Sequence, residues 1–564
     1  MPPEPLAPVT DLLQRIPLSA RCVLDVACGR GDLLAAYRFM NPTARLLGIE
    51  ADPGIARIAQ QHLSEVAVVD VEADPMPFDV PGGIDCIIHS TSLEHMREPW
   101  ALLRRHAEML TPDGMMLICL PNVEHWSFTE RLLRGNWDYQ PSGLLDRSHL
   151  RWFSLESARR ALIDAGLMLC DIHPRIFDQE QSDRFATALA PALTALGIDP
   201  AAYKLRAAAL QYVWRVRREP RQRMTIAGNM LAPVGGVSHV RVIQPLQAMG
   251  TDPVVEVRLT DRLLAAPPDD GRARIFVLHR PDVSGPDGRG MLKALRDAGW
   301  LVVTEFDDHP DFLHGMADSE QLGFYGVHAI QTSTRPLAEV LRARNPEVAI
   351  FPNALHALPP VSNFADPRSL TLFFGALNRE PDWRHLMPAI NDVAAKVGAR
   401  LKFQVVHDQG FFEALESPHK TFTPTCDYET YMRLLGRSEI SFMPLDDNGF
   451  NRAKSDLKFI EAGACRVAPL ASTVVYADSI VDNQTGLLFR DAAEFRSHLM
   501  RLVAMPDLAR QIGDAARRYV AAERMLAYQV EPRIAWYRSL WERRESLTAA
   551  LEARIAALDA RAAA

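Results

Sequence analysis

The sequence predicts an α/β chain of three units, each a parallel sheet with helices on both faces. Three observations carry that expectation. Short β-rich apolar runs alternate with amphipathic helical stretches almost throughout, the pattern of strand–helix–strand crossovers. The 564 residues exceed what one hydrophobic core holds, at about 150 residues per domain. The alternation also breaks twice, between about 181 and 223 and, more weakly, along HALPPVSNFADPRS near 356–369. With 48% hydrophobic and 23% charged residues the composition is globular and not disordered. A net charge of -8 gives no general basic field, so nucleic acid is not an expected partner. None of the seven cysteines forms a C-x-x-C pair; neither a disulfide scaffold nor a metal site is expected, and a reducing, cytoplasmic compartment fits. The opening MPPEPLAPVTDLLQRIPL lacks the order of a signal peptide, and nowhere do eighteen apolar residues run together.

The first element of interest is RCVLDVACGRGD, Arg21 to Asp32: a buried strand, a turn of small residues and then the helical pattern LLAAYRFM. Gly29 and Gly31 lack a Cβ, and the following helix N-terminus offers free N–H groups, so a ligand can approach the backbone there. A plain strand-to-helix turn is the alternative. A G-x-G-x-x-G dinucleotide loop would need a small residue at position 34, which is Leu34, so NAD is not expected. The spacing of Asp25, Ala27, Gly29 and Gly31 instead resembles the D-x-G-x-G-x-G loop of class I S-adenosylmethionine-dependent methyltransferases, with Ala27 in place of the first glycine. The resemblance continues through ARLLGIE, ending in Glu50, and AVVD, ending in Asp70. It implies that Glu50 accepts the two ribose hydroxyls and that Asp70 holds the adenine amino group, with Val71 or Glu72 beside the ring. GIDCIIHSTSLEHMREPWALL and GNWDYQPSGLLDRSHLRWFSLESARRALIDAGL are similar to the fourth strand and to the D-x-x-H-L-R-x-F stretch on the acceptor side of such enzymes, so the likeness covers about residues 10–180. His95 and His149 are the candidate catalytic bases, since histidine titrates near neutral pH. Either ring alternatively holds a loop. Asp146, three residues before His149, orients it or clamps the loop.

Next, residues 181–223 read as a helical and arginine-rich linker: FATALAPALTAL, KLRAAALQYVWRV, then RVRREPRQR. A fresh strand, MTIAGNML, opens the second unit, 224–360, and leads through Gly235 and Gly236 into an amphipathic helix. RIFVLHRPD, WLVVTEFDDHPDFL, AIQTSTRPLAEVLR and VAIFPNALH follow as strand ends, and these resemble the N-terminal, acceptor half of GT-B glycosyltransferases related to family 4. Asp307, Asp308 and His309 fall at a carboxyl strand edge, where open α/β sheets bind ligands. They form a capping loop, or His309 touches the transferring sugar. The third unit, 361–525, starts with LTLFFGALNREPDW and contains EISFMPLDDNGFNRAKSDLKFIEAGACRVAPLAST. Its likeness to the nucleotide-sugar half implies that Glu461 binds the donor ribose. The family's E-x7-E partner would fall at position 453, which is Ala453. Lys454 and Lys458 beside this gap, and Arg379 in the first loop, are candidate contacts to donor phosphate, with a solvated helix face as the alternative for the lysines.

Finally, within 526–564, MLAYQVEPRIAWYRSLWERR resembles the helix that crosses back to brace the first GT-B half, anchored by Trp536, Tyr537 and Trp541. The stripe Leu547, Leu551, Ile555 and Leu558 beyond it packs on its own domain or joins two chains. The resemblances together imply a bifunctional bacterial enzyme of surface or secreted glycan assembly, with S-adenosyl-L-methionine as cofactor, a nucleotide sugar as co-substrate and a glycan or lipid-linked saccharide as acceptor. In a second reading one module is catalytic and the other docks substrate. In a third, the five arginines of RVRREPRQR meet anionic lipid at the inner face of the membrane.

Overall fold

The computed structural model describes residues 11–141, 143–229, 235–260, 270–313, 316 and 319–563. They form two compact units: the first reaches Gln222, omits 39–42 and includes Thr251–Val254; the second holds the rest.

The first unit is built on β1 (Cys22–Val26), β2 (Arg45–Ile49), β3 (Glu65–Ala67), β4 (Ile84–Ser90), β5 (Leu110–Pro121), β6 (Met168–Arg175) and β7 (Gln211–Arg217). They lie in the order β3-β2-β1-β4-β5-β7-β6. Pairing is parallel through β5, while β7 runs antiparallel to both β5 and β6. Leu24, Val26, Ile87, Met116 and Ile118 are buried on these strands. They pack with Leu102 and Leu103 of helix Pro99–Glu108 and Ala158 and Leu162 of helix Leu155–Asp164. The second of these helices starts where it does because Ser154 and Ser157 form a reciprocal capping box.

Residues 181–223 are not a linker. Helices Gln179–Ala195 and Pro200–Ala208 are followed by β7, whose Trp214 pairs with both Ile118 and Ile172. The strand escaped the sequence reading because QYVWRVR, although covered on both faces, carries Arg215 and Arg217 and so lacks the continuous apolar run that such a strand usually shows. Two of the five arginines, Arg215 and Arg217, are buried within β7. Arg215 pairs with Asp171 and Arg221 with Asp113 at 3.2 Å. These three side chains are committed inside the fold, while Arg218 and Arg223 are exposed.

The second unit contains two parallel sheets. β8 (Met224–Asn229), β9 (Val255–Thr260), β10 (Ala273–His279), β11 (Leu301–Glu305), β12 (Ala329–Thr332) and β13 (Val348–Ile350) take the order β13-β12-β11-β10-β8-β9. β14 (Leu370–Gly375), β15 (Leu401–Val406), β16 (Lys420–Thr423), β17 (Ile440–Met443), β18 (Ala468–Ser472) and β19 (Leu487–Phe489) take the order β16-β15-β14-β17-β18-β19. Chain order reverses between β8 and β10 and between β14 and β17, so a crevice opens at the carboxyl ends of those pairs.

Two C-terminal helices, α1 (Val530–Glu542) and α2 (Arg544–Ala563), return to the first of these sheets. The Tyr537 hydroxyl donates to Gln331 at 2.7 Å, Trp536 meets Phe351 with ring centres 5.5 Å apart, and Trp541 is half-buried. On α2, Leu551 is fully buried, Leu558 packs on the core around Leu292 and Leu337, and Arg554 donates to the Val327 carbonyl at 2.7 Å. The tail therefore packs on its own unit.

Candidate functional sites

In the first unit the turn after β1 is set by backbone torsion: Ala27, Gly29 and Gly31 have φ of 60°, 56° and 78°. A left-handed alanine costs about 1–2 kcal/mol, which a glycine would not. The two glycines serve different ends. A Cβ on Gly29 would meet nothing within 4 Å, so this face is open to a ligand. One on Gly31 would press on Ala59 and Leu63 at 3.3 Å, so Gly31 lets a neighbouring helix pack. Glu50 is held at the rim by two backbone donors, Gly29 N–H at 2.9 Å and Asp52 N–H at 3.0 Å, leaving carboxylate lone pairs for further donors. Asp25 is buried with Oδ1 unpartnered, and burial followed by the charge of Glu50 pushes its carboxyl up to about 7. An open glycine face, an unpartnered buried acid and a rim carboxylate suit a ligand with several N–H and O–H donors.

Asp70 does not end a strand. β3 stops at Ala67 because its partner β2 stops at Ile49, the register partner of Ala67. Asp70 lies three residues on, exposed, its carboxylate accepting the Glu72 N–H at 2.9 Å.

On the same carboxyl edge, β4 leads into a turn at Leu93–His95. The Glu94 carbonyl accepts the N–H groups of Leu150 at 2.7 Å and Arg151 at 3.0 Å, which ties this turn to the loop of His149. His95 and His149 meet edge to face with centres 4.9 Å apart. Their Nδ1 atoms lie 3.3 Å from the carbonyls of Ser148 and Leu144 respectively. Glu94 is 1% exposed, both its carboxylate oxygens are unpartnered, and burial raises it to about 7. Burial, then the charge of His95, lowers His149. One ligand atom from each of Glu94, His95 and His149 lies within 4.8 Å of the others. Asp146 does not orient His149. Its carboxylate accepts the Ser148 N–H at 2.8 Å and hydroxyl at 2.6 Å, the loop-clamp alternative. Sequence reasoning missed Glu94; the available signal was an acid directly before a candidate histidine in the turn after a buried strand.

The second unit holds a cavity of about 430 Å³ between its two sheets, lined by Gly236, Arg241, Arg280 and Asp307 from one half and Arg379, Tyr428, Lys454, Lys458 and Glu461 from the other. Glu461 sits on helix Leu457–Ala464, buried at 3% exposure. Burial raises its carboxyl to about 7, against the opposing effects of Lys458 and a hydrogen bond from Tyr428. Lys458, lowered by burial, donates to the Gly375 carbonyl and lies 3.5 Å from the Tyr431 hydroxyl. Lys454 pairs with Asp308 at 2.6 Å, and Arg379 with Asp382 at 3.1 Å and Asn451 at 2.8 Å. Ala453 explains the missing carboxylate physically: it is 3% exposed and packs into the apolar core of the other half.

Two expected contacts, His309 and Gly235, are absent from the cavity lining, while Gly236 is part of it. His309 caps the short turn Pro310–Phe312, its Nδ1 accepting the Asp311 N–H at 3.3 Å and its ring against Phe312, and it is absent from the cavity lining. Asp307 lines the cavity instead, paired with Arg280 at 2.6 Å. Gly235 opens a helical turn, Gly235–Ser238, and Gly236 faces Tyr428, where a Cβ would come within 3.0 Å of the ring. That glycine serves close packing of the two halves; residues 230–234 of the same loop lie outside the described residues. The sequence reading missed a ladder of near-parallel rings, His239, Tyr428, Tyr431 and His407, with centres 5.7, 6.5 and 6.1 Å apart. It also missed the buried Arg241–Glu305 pair, 2.8 Å apart.

Residues 3–171 match a family model described as a methyltransferase domain, and residues 384–532 one described as glycosyl transferase-like. An uncharacterized methyltransferase of Mycobacterium bovis is 27% identical over 157 residues, 24% of this chain and 79% of the relative. Trans-aconitate 2-methyltransferase of Methylobacterium nodulans is 31% identical over 133 residues, 23% of this chain and 50% of the relative. Among solved structures, sucrose-phosphate synthase from Thermosynechococcus elongatus aligns at 15% identity with a TM-score of 0.42, covering 57% of this chain and all of that one. An S-adenosylmethionine-dependent methyltransferase from Archaeoglobus fulgidus aligns at 14% identity with a TM-score of 0.27, covering 37% of this chain and 91% of that one. The glycine turn on a 3-2-1-4-5-7-6 sheet thus lies in an N-terminal methyltransferase domain, and Glu461 with the lysines beside it lies in a C-terminal glycosyl transferase-like domain, so the chain is a transferase that joins the two.

Proposed function

We propose that the protein is a bifunctional enzyme of bacterial surface or secreted glycan assembly, methylating a hydroxyl with S-adenosylmethionine in its first unit and transferring a sugar, with retention, from a nucleotide-sugar donor in its second. The observation that carries the reading is that each unit has its own built site: the open Gly29 face with Asp25 and Glu50, and the cavity around Glu461. S-adenosylmethionine, when bound, would supply an electrophilic methyl group for transfer from its sulfur to the acceptor oxygen. Glu50, already fixed by two N–H donors, takes ribose hydroxyls on its remaining lone pairs. Asp25 offers its unpartnered oxygen to a donor on the cofactor. Asp70 flanks the adenine from the exposed turn. Glu94, His95 and His149 face the acceptor and meet the proton or charge of its hydroxyl. In the second unit Glu461 takes the donor ribose, while Lys458, Lys454 and Arg379 face the diphosphate that accumulates charge as the sugar leaves. The acceptor is a glycan or lipid-linked saccharide; among the described residues no helix is long and apolar enough to cross a membrane.

A second reading, in which the C-terminal domain binds a donor nucleotide without transferring its sugar, is favoured by Ala453 where related enzymes carry the first carboxylate. Calorimetry with S-adenosylhomocysteine and with a panel of nucleoside diphosphates tests both sites on the full chain, on Gly29→Val and on Glu461→Ala. Each substitution should remove only its own ligand. Loss of both ligands in either folded variant would replace two sites with one shared cleft.

A further inference from the structure

We propose that Glu94, His95 and His149 form a binding site for a divalent transition-metal ion on the acceptor side of the methyltransferase unit. The location relative to the acceptor rests on the function proposed above; metal binding itself does not.

The argument begins with ring tautomers. Each histidine has its Nδ1 within hydrogen-bond distance of a backbone carbonyl, Ser148 for His95 and Leu144 for His149. A carbonyl only accepts, so both Nδ1 atoms carry the proton and both Nε2 atoms are left as lone pairs. That is the arrangement by which metal-binding histidines are held: one ring nitrogen donates to a carbonyl and the other binds the ion. Glu94 supplies the second observation. Its carboxylate is buried at 1% exposure, yet neither oxygen has a hydrogen-bond partner. A buried carboxylate without partners is costly, and the two histidines beside it do not satisfy it by hydrogen bonds of their own. Something placed between the three groups would.

The spacing admits such an ion. One ring nitrogen of each histidine and one carboxylate oxygen of Glu94 lie within 4.8 Å of one another. With metal–nitrogen and metal–oxygen bonds of about 2.0–2.2 Å, ligands around one ion stand roughly 3–4 Å apart, so shifts of up to about 0.9 Å per side chain close the set. The frame is already fixed, because the Glu94 carbonyl accepts two N–H groups from the loop of His149. Two imidazoles and a carboxylate suit zinc, cobalt or iron(II) better than magnesium, which prefers all-oxygen ligands and retained water. Three protein ligands leave a coordination position free for an oxygen ligand such as an acceptor hydroxyl.

The test uses the full chain, stripped with chelator and titrated with Co²⁺, whose visible absorption reports nitrogen and oxygen coordination. One equivalent should bind, be displaced by Zn²⁺, and bind at least tenfold more weakly in Glu94→Gln and in His95→Gln, each checked for folding by circular dichroism. Absence of a cobalt spectrum in the unsubstituted chain, or unchanged affinity in both folded variants, overturns the proposal. S-adenosylhomocysteine affinity on the same samples separates the two readings. Cobalt binding that depends on Glu94, without S-adenosylhomocysteine binding, supports the metal site and sinks the cofactor assignment; the reverse sinks the metal site alone.

Discussion

Replacing Glu461 by glutamine should stabilise the second unit at alkaline pH while weakening donor binding. The carboxyl is raised from its usual 4.5 to about 7 because burial outweighs the attraction of Lys458 and the Tyr428 hydrogen bond. An acid whose folded value lies above its unfolded one favours the folded state when protonated. The stabilising term is thus full below pH 4.5 and is lost as pH rises through 7. At about 1.36 kcal/mol per pH unit the loss is about 3 kcal/mol. Glutamine keeps the shape of the protonated acid and cannot ionise. The stability difference between variant and parent should therefore grow in the variant's favour by about 3 kcal/mol from pH 5 to pH 9. Ribose hydroxyls would exchange a charged acceptor, worth about 1.5–3 kcal/mol, for a neutral one worth about 0.5–1.5 kcal/mol. That is about fivefold to tenfold in nucleoside diphosphate affinity at pH 8.5. Urea unfolding, followed on the transition that the nucleotide shifts, measures the first effect and calorimetry the second. A variant with the parent's pH dependence would refute burial of a charge as the cause. Undiminished nucleotide affinity would remove Glu461 from the donor site.

Gly29→Val should abolish S-adenosylhomocysteine binding by calorimetry and leave the second unit's nucleotide affinity intact, since a branched side chain would project from the open face of a residue at φ 56°. Ala27→Gly should relieve the left-handed strain and raise the melting transition of the first unit, by up to about 1 kcal/mol after the unfolded-state cost of glycine. Residues 1–222 should express as a folded domain, whereas 1–180 should not, because the shorter piece lacks the strand between β5 and β6; one-dimensional proton NMR dispersion decides. Lys454→Met should leave the buried Asp308 with Arg280, at 3.6 Å, and the His309 N–H, at 3.1 Å, as its partners and destabilise the second unit by less than the about 3–5 kcal/mol of a fully orphaned buried charge, read by denaturant titration.

The alternation of strands and helices was legible along nearly the whole chain, and with it both folds, because parallel strands buried on both faces read as continuous apolar runs. β7 was the exception. Its buried arginines are satisfied by partners remote in sequence, Asp171 for Arg215, so the segment looked solvated until those partners were in place. Glu50 and Glu461 stood out because each falls in a stretch that resembles a known transferase motif, Glu50 directly after β2 and Glu461 inside the helix Leu457–Ala464. Asp70 was misplaced by a strand ending, which depends on a neighbour's length and not on its own residues. His309 was misjudged because capping and ligand contact call for the same residue at the same strand end. The ring ladder was invisible for another reason: it joins His239 to residues roughly 170–190 positions away, and spacing alone carries no sign of such convergence, whereas Glu94 stood directly before a candidate histidine.

The return of α1 and α2 to the sheet of β8–β13 matters during synthesis. That sheet emerges from the ribosome complete in its strands by Ile350, yet the side covered by Leu551 and Leu558 has no cover until α2 has been made. At roughly 5–20 residues per second the nascent chain waits roughly ten to forty seconds with that apolar surface bare. The middle of this protein is therefore its last part to mature, and a chaperone that engages the translating chain has its longest opportunity there.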